Sequence, residues 1–225
     1  MHIAEGFLPL KWSLIWWIVS IPFVAYGIYK VKKINQEKSE IKPLLAISIA
    51  FVFIMSAMKF PSVTGSCSHP TGTGLPIVFF GPFVTAFISF IVLLFQGLFL
   101  AHGGITTLGA NTLSMGIIGP IFGWIAYKIA RNAGVSLVSG GFIAAFVADL
   151  MTYFVTSAEL AAAFPASKGG FLLSLKAFLS IFAVTQIPIA VIEGVAVMTV
   201  IKYLSDYGVS IPSSAKTGIL SGSGS

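Results

Sequence analysis

The chain has 225 residues, of which 56% are hydrophobic and 9% charged, against a charged share of roughly 25% in soluble domains. Twenty Phe, 23 Gly and 11 Pro exclude a coiled coil, and so few charges exclude a disordered tail protein, which makes the bilayer the expected solvent. Thirteen basic against seven acidic residues give +6, an excess expected in cytoplasmic loops and not on a nucleic-acid face, so no nucleic-acid partner is read. One Cys makes neither an internal disulfide nor a Cys-based zinc framework. The sequence holds no G-x-x-x-x-G-K-[ST] loop, so any ATP use falls to another subunit.

Taken in chain order, the first apolar run covers 12–29 and carries Trp12, Trp16 and Trp17, which suit a membrane-interface belt. Lys30, Lys32, Lys33, Lys38 and Lys42 follow it and belong in the cytoplasm, which puts Met1 outside. Residues 1–10 hold no Lys or Arg, unlike the start of a signal peptide, so the amino terminus is expected to be retained. A second span at 43–60 returns the chain to the outer side, where 61–74 reads as a Ser/Thr/Gly/Pro loop containing His69. The stretch 75–100 is apolar but interrupted by Gly81-Pro82, and 105–112 is weakly polar, so this region holds two or three spans. Three spans place Lys128, Arg131, Lys202 and Lys216 inside, which the positive-inside rule favours. Spans at 136–156 and 171–204 complete the set, the last longer than a membrane is thick and carrying Pro188. The expected fold is an all-α polytopic bundle of about seven transmembrane helices, amino terminus outside and carboxyl terminus cytoplasmic. Residues 1–204 are expected to form one transmembrane metal-binding domain. Residues 205–225 read as a short polar tail ending in a linker-like Ser-Gly-Ser-Gly-Ser.

Small residues four apart at Gly119/Gly123, Ala126/Ala130 and Ala144/Ala148 allow close helix approach, within the bundle or to a partner helix. Gln96, Asp149, Gln186 and Glu193 lie in or beside apolar runs, where polar groups are expensive; interhelical hydrogen bonding is the favoured reading over an ion path. Gln186 and Glu193, seven apart, share an inward helical face.

Met1-His2 is the most informative dipeptide, because a histidine at position two brings three nitrogens to one ion. The α-amine and the His2 amide nitrogen close a five-membered ring; the amide and imidazole Nδ1 close a six-membered one. One in-plane position stays open, and His69, on the same outer side, is the natural imidazole to fill it. Four nitrogens in a square set point to Ni(II) or Cu(II), with Co(II) admissible, whereas zinc prefers a tetrahedron. All the ligands must be deprotonated, so acid is expected to release the ion. Cys67 offers a soft ligand or simple packing, His102 a supporting or transit ligand, and Glu5 a group orienting the amine or His2.

The opening Met1-His2-Ile3-Ala4-Glu5-Gly6-Phe7-Leu8-Pro9, the segment from Gly65 to Leu75 (Gly-Ser-Cys-Ser-His-Pro-Thr-Gly-Thr-Gly-Leu) and the segment from His102 to Thr112 (His-Gly-Gly-Ile-Thr-Thr-Leu-Gly-Ala-Asn-Thr) together resemble the CbiM/NikM family, over the chain to about Leu204. These are substrate-binding membrane subunits of energy-coupling-factor transporters for cobalt and nickel. The resemblance implies a seven-helix membrane fold with an amino terminus delivered into the metal site. It makes Met1, His2 and His69 the ligands; beside them, Glu5, Cys67, Ser68, His102 and Asn111 are candidates for supporting or transit positions. It further implies Co2+ or Ni2+ as transported substrate, with the motifs closest to the cobalt type that feeds cobalamin synthesis, and no organic cofactor or catalytic residue. The implied partners are a transmembrane coupling protein, ATP-binding cassette ATPase subunits and a small accessory protein of the CbiN/NikN type. The implied location is the bacterial or archaeal cell membrane, in contact with lipid. The alternatives are a self-contained divalent metal permease and, in another class, an intramembrane hydrolase using Asp149 and Glu193.

Overall fold

The computed structural model describes residues 2–37, 41–61 and 66–212. Met1, part of the 61–74 loop and the Ser/Gly-rich carboxyl end lie outside them. Seven helices form among the described residues: α1 (Leu10–Glu37), α2 (Lys42–Ala57), α3 (Gly74–Phe80), α4 (Pro82–Phe99), α5 (Leu108–Asn132), α6 (Leu137–Ala163) and α7 (Gly170–Asp206). Within α5 the stretch Thr112–Ile118 is wound as a π-helix. Helices α1, α4, α5, α6 and α7 are long and apolar enough to cross a membrane. Large apolar side chains such as Ile18, Leu98, Ile129 and Val184 stand exposed on their outer faces, as expected of helices in a bilayer.

The other two legs are shorter than the apolar runs suggested. Helix α2 has 16 residues, about 24 Å at 1.5 Å per residue, and α3 only seven, about 10 Å. Gly81, with φ at 82°, ends α3, and Pro82 starts α4 in the position where a missing N–H is harmless. The third leg is therefore an extended segment joined to a half-helix, and residues 68–81 are buried without a break. Irregular backbone at membrane depth requires such protein surroundings, because lipid offers no hydrogen-bond partners. Helix α7 runs unbroken through Pro188 for 37 residues.

Helices α5 and α6 pack through small residues. A Cβ on Gly123 would lie 2.6 Å from the Ala144 carbonyl oxygen and 2.8 Å from Ala148 Cβ; one on Gly119 would lie 2.8 Å from the Ala148 carbonyl oxygen. The small-residue spacing thus serves an internal contact. Gln96 likewise joins α4 to α2, donating to Phe53 O at 3.2 Å and to Ser56 Oγ at 2.8 Å.

At one end of the bundle three short strands form an antiparallel sheet in the order β1-β3-β2: β1 (His2–Ile3), β2 (Phe60–Pro61) and β3 (Ser66–Ser68). His2 lies opposite Cys67, and Ile3 opposite Ser66. The loop joining α4 to α5 lies at the same end, because Gly6 N donates to Thr106 Oγ1 at 3.0 Å and Trp17 Nε1 to Ile105 O at 3.2 Å. The main apolar core, with Leu75, Phe79, Ile88 and Tyr127, fills the remaining bundle.

Candidate metal centre

The amino-terminal strand is fixed by several bonds, none of them within a helix. Asn111, on the first turn of α5, grips the Ile3 peptide from both sides: Ile3 N donates to Asn111 Oδ1 at 2.8 Å, and Asn111 Nδ2 donates to Ile3 O at 3.1 Å. Thr107 Oγ1 donates to the same carbonyl at 2.9 Å. A second cluster of buried apolar residues, Ile3, Leu8, Ala110, Leu160 and Phe182, holds the strand from below, with Trp16 against it. Glu5 does not orient His2. It is exposed and accepts from Thr106 N at 3.1 Å, and Gly104 makes room for it, since a Cβ there would sit 1.7 Å from a Glu5 carboxylate oxygen.

Three imidazoles meet at this end. Ring centroids are 4.1 Å apart for His2 and His69, 4.4 Å for His2 and His102, and 5.0 Å for His69 and His102. His2 and His69 are fully buried, and His102 is 3% exposed. One ligand atom from each of His2, Cys67, His69 and His102 lies within 4.8 Å of the others. The tautomers follow from the partners. His69 Nδ1 donates to Pro70 O at 2.8 Å, which leaves the Nε2 lone pair free. His2 Nε2 lies 3.4 Å from Met115 Sδ, a weak acceptor, which leaves Nδ1 free. Both freed nitrogens, His2 Nδ1 and His69 Nε2, are buried and have no hydrogen-bond partner among the described residues.

The two unpartnered nitrogens belong to rings with centroids 4.1 Å apart, and one ligand atom from each of the four side chains lies within 4.8 Å of the others, so the group could hold a metal ion. Burial first, and then the neighbouring imidazoles, push His2 well below the ordinary histidine range. Burial lowers His69 well below that range too, with the amino-terminal charge and then His102 adding to it, and burial lowers His102 to about 4. The imidazoles are therefore neutral across the physiological range, which is the protonation state a metal requires. Burial pushes the Cys67 thiol up.

Below the histidines, the extended segment after His69 is held by side chains of α6 and α7. Gln186 donates to His69 O at 3.2 Å and to both oxygens of Asp149, at 2.9 and 2.8 Å. Glu193 accepts from Thr71 Oγ1 at 2.8 Å and from Thr71 N. Ser68 Oγ lies 2.8 Å from Thr185 Oγ1, so it secures β3 to α7 and does not face the imidazoles.

Sequence reading placed His2, Cys67, His69, His102 and Asn111 here; the Met1 ligand lies outside the described residues. It missed Met115, Thr107 and the tethering role of Gln186. A lone Met in an apolar run carries no signal, but Gln186, a polar residue inside a membrane span, did.

The family profile described as "Cobalt uptake substrate-specific transmembrane region" matches residues 2–211. The chain belongs to this family. A relative from Archaeoglobus fulgidus is 55% identical over 206 residues, covering 91% of this chain and 94% of its own length. The protein of Clostridium tetani named cobalt transport protein CbiM is 51% identical over 207 residues, covering 92% and 85%. Two solved structures share the fold. One, described as a truncated transition metal transporter, has a TM-score of 0.79 at 25% identity and covers 92% of this chain and 99% of its own. The other, described as a transition metal transporter, has a TM-score of 0.81 at 24% identity and covers 93% and 95%. Family membership and the five long apolar helices make the chain a multi-pass membrane protein of a transition-metal uptake family.

Proposed function

We propose that the chain is the substrate-capturing membrane subunit of an ATP-driven energy-coupling-factor importer for Co(II), with Ni(II) as the competing ion. The observation that carries this reading is the pair of buried, unpartnered nitrogens His2 Nδ1 and His69 Nε2, on rings whose centroids are 4.1 Å apart. In the proposed site the α-amine of Met1, the His2 amide nitrogen and His2 Nδ1 chelate the ion on one side, and His69 Nε2 completes a square of four nitrogens. Asn111, Thr107 and the β1–β3 pairing support the reading, because they tie the His2–Ile3 backbone to β3, with His2 opposite Cys67, two residues before His69. A donor set that includes main-chain nitrogens needs the strand to be rigid, and side chains alone do not supply that.

The proposed orientation has the strands and histidines outside and the basic ends of α1 (Lys30, Lys32, Lys33) and α5 (Lys128, Arg131) in the cytoplasm. A transmembrane coupling protein, a pair of ATP-binding cassette subunits and a small accessory membrane protein of the CbiN/NikN type would complete the importer, and cobalamin synthesis would consume the cobalt. The chain's role is capture, not hydrolysis. Asp149 and Glu193, the residues of the hydrolase alternative, are occupied with Gln186 and Thr71.

The test is calorimetric titration of the purified full chain with Co(II) and Ni(II), before and after selective acetylation of the α-amine. Loss of most of the affinity on acetylation, with the melting temperature of the metal-free protein unchanged, is the expected result. Equal affinity before and after overturns the amino-terminal site. Uptake in vesicles by this chain alone, without ATPase subunits, overturns the importer assignment.

A further inference from the structure

The four-nitrogen set uses one imidazole nitrogen from His2 and one from His69, and leaves Cys67 and His102 without a role. Yet both face the same point. His102 Nε2 lies 2.9 Å from Cys67 Sγ, and its Nδ1 is buried without a partner among the described residues. Cys67 is paired with His2 across the strands, so whatever moves one carries the other. The loop bearing His102 is shaped to turn it inward. Ala101 and Gly103 flank it with φ of 48° and 74°, the left-handed region that a residue with a Cβ adopts at a cost. A packing histidine requires neither that backbone nor an orphaned buried nitrogen.

Counted as ligands, His2, Cys67, His69 and His102 make three nitrogens and one sulfur around a common centre. In a tetrahedral site with metal–nitrogen bonds of about 2.0–2.1 Å and a metal–sulfur bond of about 2.3 Å, ligand atoms stand roughly 3.3–3.6 Å apart. The donor atoms here already fall within 4.8 Å of one another, so side-chain shifts of about 1 Å close the set without moving a helix.

We propose that these four side chains form a second coordination state of the same site, a tetrahedron of three nitrogens and one sulfur, which takes the ion when the amino terminus lets go of it. This inference rests on the amino-terminal reading above. In the exchange, the α-amine and the His2 amide nitrogen leave the ion while the Cys67 sulfur and a His102 nitrogen join it. The proton lost from the Cys67 thiol balances the one regained by the amide nitrogen. The class of ion follows from geometry. Co(II) is at home in tetrahedral fields, whereas Ni(II) in a square of four strong nitrogen donors loses ligand-field stabilisation on passing to a tetrahedron. The exchange therefore passes Co(II) inward and holds Ni(II) back, a selectivity that the four-nitrogen set alone does not provide.

The experiment uses the full chain in detergent, unmodified and acetylated at the α-amine, loaded with Co(II) and followed by visible and near-ultraviolet absorption. The acetylated chain is expected to bind Co(II) with intense tetrahedral d–d bands and a sulfur-to-cobalt charge-transfer band. Cys67→Ser in the acetylated chain removes the charge-transfer band, and His102→Ala lowers the Co(II) affinity at least about tenfold. Melting of the metal-free proteins reports that each is folded. A folded acetylated chain that binds no Co(II), or that gives the same spectrum with Cys67→Ser, overturns the second state and leaves the amino-terminal site standing. A sulfur band already present in the unmodified chain, with affinity indifferent to acetylation, overturns the amino-terminal reading and the exchange with it.

Discussion

The two ends of the bundle distribute their buried unpartnered polar atoms differently. Through the helices such atoms lie on different elements, as at Ser48 Oγ on α2, Ser89 Oγ and Gln96 Oε1 on α4 and Trp124 Nε1 on α5, while Gln96 Nε2 donates to Phe53 O and Ser56 Oγ, and Thr85 and Thr152 donate back to Gly81 O and Ala148 O at 2.8 Å. At the strand end three imidazoles, each with a buried nitrogen lacking a partner among the described residues, come together with ring centroids 4.1–5.0 Å apart. An orphaned polar atom by itself is a packing cost. Convergence of several metal-ligating side chains on one point is what marks a candidate ligand site.

Substitutions sharpen that contrast. The largest effect is expected for His69→Ala, which removes a nitrogen from the proposed square: Co(II) affinity falls about 100-fold, roughly 2.7 kcal/mol, in calorimetric titration of the folded variant, whose folding is checked by metal-free melting. Gly123→Val does the reverse. Its side chain collides with the Ala144 carbonyl and Ala148, and overpacking of this kind destabilises by about 1–3 kcal/mol, read as a lower melting temperature with ordinary affinity in the folded fraction. Asn111→Ala belongs to the strand end but holds the backbone and not the ion. Removing its two bonds to Ile3 is expected to weaken Co(II) binding about tenfold, the scale typical of groups that orient ligands.

The helical legs were legible because lipid demands long apolar runs, and the run lengths and Lys positions can be counted. The third leg was not. Residues 75–100 read as interrupted at Gly81-Pro82, and the interruption is real, but nothing in the apolar pattern shows that the leg starts as an extended segment around Thr71. That depends on Gln186 and Glu193 being near enough to satisfy its backbone, a tertiary fact. At the site, the sequence singles out His2 and His69 because a terminal dipeptide has its own chelate chemistry, and their rings do lie 4.1 Å apart. The inward turn of His102 and the approach of Met115 depend on a left-handed loop and a π-helical turn, which leave little trace in residue type.

The smallest effect separates the ends by pH. A histidine whose pKa in the folded state lies below its unfolded value of about 6.5 leaves the unfolded chain binding more protons, so stability is fully present above about pH 6.5 and falls as pH drops below it. For His102 the decline runs from about 6.5 to about 4, and His2 and His69 shift in the same direction. Compared with His102→Ala, metal-free melting of the unsubstituted chain is expected to lose more as pH falls from about 6.5 to about 4. Metal release by acid between about pH 8 and 6.5 then falls to the α-amine, whose ordinary pKa is about 7.7–8.0, and not to the imidazoles.

The most direct measurement is anomalous diffraction from crystals of the full chain, with a free amino terminus, grown with Co(II). The expected peak lies between the first residue's nitrogen, the His2 amide and imidazole Nδ1, and His69 Nε2. An ion seated away from these atoms, with the α-amine turned from the histidines, contradicts the proposed capture site.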